Sequence, residues 1–137
     1  GLMENGEPGY SDQGYIPQAI SHAQFSAQAI DATNEIKTQS QYVIVSINNM
    51  QGWSEQLLAQ AIKLQEMPFG SDMEAVIAEI TKLSGQIVSG TDSNDNGRIE
   101  PIVGEGGADT AYEHAYLMTQ MPLLSGSHRV PPAAANP

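Results

Sequence analysis

Apolar residues three and four positions apart recur along most of this chain, and that period dictates helices. Ile16, Ile20, Ala23, Ala27 and Ile30 share one face of a first helix. It should start near Pro17, a residue suited to a first helical turn, and run to Lys37-Thr38. Phe25, Ala29 and Ile36 widen its apolar stripe. Thr38-Gln39-Ser40-Gln41 has capping-box spacing, with Gln41 able to reach back to the Thr38 amide, and opens a second helix. Ile47, Met50, Ser54, Leu57, Ala61 and Leu64 form the seam of that helix. Tyr42-Val43-Ile44-Val45 has strand propensity, but the helical period continues beyond it and outweighs the local preference. Gly52 is a candidate break, and Trp53 beside it a packing anchor.

Pro68-Phe69-Gly70 stops the second helix, and Ser71-Asp72-Met73-Glu74 is a second capping box. Met73, Val76, Ile77, Ile80, Leu83 and Ile87 then make a regular stripe, closed by Gly90. Thr110-Ala111-Tyr112-Glu113 is a third box. It opens a fourth helix whose inner face carries Ala108, Ala111, Ala115, Met118 and Met121 or Pro122. The expected fold is all-α, an antiparallel four-helix bundle over residues 16–125 with an ion-binding loop at 91–107. Extended arms should flank it: residues 1–15, rich in glycine and acids, and a Pro/Ala-rich tail over 126–137.

A chain of 137 residues is the size of one domain and can bury a core without staples. It has no cysteine, so disulfides, thiolate metal sites and iron–sulfur clusters are excluded. Five Lys and Arg stand against 16 Asp and Glu, a formal charge of −11. That balance argues against nucleic acid and anionic lipid, and favours cations. No apolar run approaches the roughly 20 residues of a membrane span. No signal peptide is visible, and Gly1-Leu2-Met3 reads as a trimmed start. The polar ends, if ordered, would need a partner subunit or a second copy to hold them.

The one stretch that points to specific chemistry is Asp92-Ser93-Asn94-Asp95-Asn96-Gly97-Arg98-Ile99-Glu100. Calcium takes six to eight hard oxygens, and EF-hand loops supply them at alternate positions around a glycine turn. Counting from Asp92, the first, third and fifth ligands are Asp92, Asn94 and Asn96; glycine follows at Gly97, and the Arg98 backbone carbonyl is next. Ile99 stands where such loops tuck an apolar residue into the core. The twelfth position is Val103, which cannot close the site with a carboxylate. Glu105, in Gly104-Glu105-Gly106-Gly107, is the first substitute and Glu100 the second. Two neutral asparagines hold less charge than a tight buffer site, so moderate affinity and a calcium-rich, extracytoplasmic setting are expected. A turn rich in Asp, Asn and Gly also forms without any ion, but the spacing favours calcium acting as a clamp.

His22 and His114 each fall in a helix, and two facing imidazoles in a bundle could hold haem or a transition metal. Boundary positions explain both more simply, and the Glu-x-x-His signature of carboxylate di-iron bundles is absent. Core filling accounts for the methionines. Neither a Gly-x-Ser-x-Gly nucleophile turn nor a phosphate loop is present, and no enzymatic reading follows.

The stretch from Gly90 to Tyr116 joins Asp-x-Asn-x-Asn-Gly-x-Ile-Glu-Pro-Ile to Gly-Glu-Gly-Gly-Ala-x-Thr-Ala-Tyr-x-His-Ala. It resembles extracytoplasmic helical-bundle proteins of bacteria that carry an EF-hand-like or dockerin-like loop between helices. The resemblance covers about a fifth of the chain and implies export and an ion-binding loop, with nothing catalytic. The expected function is a non-enzymatic, exported structural or interaction subunit stabilised by calcium, working through protein partners or self-assembly. The alternative is a bundle in which His22 or His114 binds haem or another metal for electron transfer.

Overall fold

A computed structural model describes residues 14–120. The arms expected at 1–15 and 126–137 lie outside that range, apart from Gly14 and Tyr15, and so does the end expected for the fourth helix. The fold is the expected all-α four-helix bundle: α1 (Tyr15–Gln28), α2 (Asn34–Glu66), α3 (Glu74–Ser89) and α4 (Ala108–Gln120). At 33 residues, α2 is the spine. It is about 50 Å long at the usual helical rise, and each of the other three helices packs against it. Ile16 and Ala23 of α1, Val43 and Ile47 of α2, and Ala111 of α4 form the buried core, flanked by Ile20, Ile44, Met50 and Met118. No described helix is long and apolar enough to cross a membrane.

The first helix ends earlier than its periodicity suggests. Ala29 turns extended (ψ 140°) and Thr33 becomes the N-cap of α2, its hydroxyl accepting from Ile36 N–H at 3.3 Å. The turn works because Asp31 and Ala32 fold inward, at 4 and 5% exposure, and lay α1 back along α2. Ile30, placed on the core stripe, is instead 85% exposed, while Ile36 is buried as the first core residue of α2. The Thr38 capping box is therefore mid-helix. Gly52 does not break α2, which passes through it without interruption.

The other two capping boxes are also displaced. At α3 the N-cap position is Met73, with no side-chain cap bond, and Asp72 just ahead of it accepts from Glu74 N–H at 3.0 Å through Oδ1. α4 starts at Ala108, so Thr110 lies inside the first turn and is buried. Gly90 ends α3 in the left-handed region (φ 80°), as expected of a C-terminal glycine. Val76 and Leu83 are the buried residues of α3; Ile77, expected beside them, is half exposed.

Candidate ion-binding loop

Residues 91–107 leave α3 and return to α4 at nearly the same point. A β-carbon on Gly90 would collide with the Glu105 carbonyl and the Gly107 backbone, and one on Gly107 with Gly90 and the last turn of α3. The two glycines thus pinch the loop shut at its neck, helped by Thr91 N–H donating to the Glu105 carbonyl at 2.9 Å.

Within the loop, each Asp or Asn at an alternate position folds the backbone over itself. Asp92 accepts from Asn96 N–H at 3.1 Å and from Gly97 N–H at 2.7 Å. Asn94 Oδ1 accepts from Asn96 N–H at 3.1 Å, and Asn96 Oδ1 from Arg98 N–H at 2.9 Å. These side chains mimic turns of backbone, which is why Asp and Asn are suited to the positions. Asp95 and Gly97 take left-handed φ values of 58° and 81°, tolerated by these residue types. Glu100 then closes the ring. Its Oε2 accepts from Asn96 Nδ2 at 2.6 Å and from Asn94 Nδ2 at 3.4 Å. Asp92, Asn94, Asn96 and Glu100 are therefore linked in one exposed polar cluster, with Arg98 on the same turn.

Glu105, the residue preferred from sequence to close the site, is placed differently. It is fully buried (0% exposed), with Oε1 accepting from the Ser93 hydroxyl at 3.0 Å and Oε2 from Glu100 N–H at 3.1 Å. Its glycines do swing it back, but under the loop, where it holds two backbone segments together. Ile99, expected to tuck inward, is 40% exposed, and Val103 is 84% exposed.

In kind, the cluster suits a hard cation. Its groups are two carboxylates and two side-chain amides, with no soft donor. Among the described residues, no three His, Asp or Glu side chains come together as a metal-holding group. The negative charge on the cluster is thus that of Asp92 and Glu100, as the two asparagines led one to expect.

Sequence reasoning passed over Asn49. From the middle of α2 its Nδ2 donates to the carbonyls of Ile102 (2.8 Å) and Gly106 (3.1 Å), and its Oδ1 accepts from Gly104 N–H at 2.8 Å. One amide thereby clamps the returning half of the loop to the spine. Its partners lie more than fifty positions away, and a polar residue beside a helical stripe carries no sign of them. Gly106 completes the seat: a β-carbon there would meet the buried Ser46 hydroxyl.

His22 and His114 have different surroundings. His114 Nδ1 lies 2.6 Å from Gln39 Oε1, within hydrogen-bond reach. Its ring packs against Tyr42 at 4.9 Å. Burial lowers its pKa below 6.5, opposed by the neighbouring Glu113 carboxylate. His22 is exposed on α1, edge-on to Phe25. No known protein family, curated protein or solved structure matches this chain.

Proposed function

We propose that the chain is a non-enzymatic, exported structural or interaction subunit, and that a calcium ion in the 92–100 turn stabilises it. One observation carries the ion reading: Asp92, Asn94, Asn96 and Glu100 are drawn into a single cluster at the mouth of a loop whose neck and base are fixed elsewhere. Two amide N–H groups now serve as the positive partners of Glu100. A calcium ion would take that role, with Asp92, the two amide oxygens, the Arg98 carbonyl and Glu100 as its protein ligands and water completing the shell. Glu105 sits beneath the site and positions the turn. The ion would clamp α3 to α4, a structural part rather than a signalling one.

The charge of −11 supports a cation-rich setting for the chain. Melting the protein in EDTA and then with added calcium tests the ion. At a hundredfold excess over Kd, a ligand specific for the folded state adds about 2.7 kcal/mol and raises Tm. An unchanged melt would end the proposal. Identification of what co-purifies with the native protein, alongside its solution mass, tests the subunit reading.

The haem or metal alternative keeps one observation in its favour, that His22 lines an apolar cleft. A Soret band in the purified protein would favour it over the calcium-stabilised subunit.

A further inference from the structure

Among the described residues, Asn96-Gly97 is the one place where glycine follows asparagine. An asparagine side-chain amide can be attacked by the backbone nitrogen of the next residue, and glycine alone leaves that nitrogen unshielded by a β-carbon. Asn34, Asn48 and Asn49 lie within α2, and Asn94 precedes Asp95, so each is followed by a residue with a side chain. Asn96 and Gly97 are both exposed, and nothing lies within 4 Å of the point where a Gly97 β-carbon would stand.

The three atoms that such a reaction changes each have a partner in the turn. Gly97 N–H, the nucleophile, donates to Asp92 Oδ2 at 2.7 Å, where the carboxylate can take its proton. Asn96 Oδ1, on which negative charge develops, accepts from Arg98 N–H at 2.9 Å, the contact an oxyanion needs. Asn96 Nδ2, the leaving nitrogen, donates to Glu100 Oε2 at 2.6 Å. Held at both its oxygen and its nitrogen, the amide is oriented beside its own nucleophile.

We propose that Asn96 is a site of self-catalysed deamidation, with Asp92 as the base. The Gly97 nitrogen bonds to Asn96 Cγ while its proton passes to Asp92 and the carbonyl electron pair moves onto Oδ1. That pair then re-forms the carbonyl and the Cγ–Nδ2 bond breaks. Nδ2 leaves as ammonia, with the proton returned by Asp92. The product is a cyclic succinimide, which water opens at either carbonyl to give aspartate or isoaspartate. Water is the only co-reactant. The reaction does not depend on the ion, but its consequence rests on the calcium reading: aspartate adds a carboxylate to the ligand set, whereas isoaspartate lengthens the backbone by a methylene and breaks the alternate spacing.

The test follows the full chain in EDTA at neutral pH, native and unfolded in urea, by peptide mapping with mass spectrometry. Asn96 should convert about tenfold or more faster in the native chain than in urea. Asn49 and Asn94, mapped in the same digests, should show no native acceleration. Asp92→Asn should remove the advantage at Asn96, and Asp92→Glu, which restores a carboxylate, should recover part of it; that recovery separates loss of the base from loss of the turn. A native rate at Asn96 equal to or below the rate in urea would overturn the proposal, as would a full native rate in Asp92→Asn. No calcium enters the measurement, so its outcome is read separately from that of the calcium melts.

Discussion

Glu105 shows how one buried side chain can hold two segments of a loop together. Its carboxylate is buried beneath the turn and takes one hydrogen bond from Ser93 and one from the Glu100 backbone. Glu105→Ala leaves the part-buried Glu100 N–H without its acceptor, a loss of about 1–3 kcal/mol in a denaturant titration. Calcium affinity should fall as well, because the turn loses its support. His114 gives a second residue-level prediction. Its folded pKa lies below the unfolded 6.5, so the unfolded chain binds the proton first. The His114 contribution to stability is therefore full above its unfolded pKa and is lost as pH falls through the lower, folded pKa. Thermal melts from pH 8 to pH 5 should show that decline, and His114→Gln should remove its share.

At the scale of elements, periodicity located four helices but misplaced their ends. A helical stripe reports which face is apolar. It does not report where the chain turns back, and residues 29–33 reverse direction while the stripe runs on to Ile36. Thr33 had the cap chemistry, but Thr38 had the fuller capping-box pattern, and the burial of Asp31 and Ala32 decided between them. Likewise, alternate oxygens in residues 92–100 were legible because turn chemistry is local. The fate of Glu105 was not, since it depends on Ser93 and on the pinched glycines. Gly52 is the clearest opening for improvement. It lies within α2, and a β-carbon there would meet nothing within 4 Å. Gly52→Ala should raise stability by about 1 kcal/mol in chemical denaturation, by lowering the entropy of the unfolded chain and favouring helix.

For the whole molecule, α2 matters because every other helix and the loop are referred to it. Asn49 is the only described side chain whose amide bonds three points of the returning loop. Asn49→Ala should destabilise the fold by about 1–3 kcal/mol, as two part-buried backbone groups and one exposed carbonyl lose their partner. In the same variant the calcium-dependent rise in Tm should shrink, whereas Asn48→Ala, one position away on an exposed face, should leave both unchanged. Comparing the two variants by calorimetry with and without calcium separates anchoring of the loop from helix propensity.

The pinch between Gly90 and Gly107 has a consequence for how such a chain could change over time. Because the backbone departs and returns at one place, residues 91–107 bridge almost no distance, and α3 meets α4 whatever the length between them. The segment is a cassette. It can be lengthened, shortened or exchanged for another turn at a loop-closure cost that grows only with the logarithm of its length. The two glycines, by contrast, are fixtures that any replacement must keep.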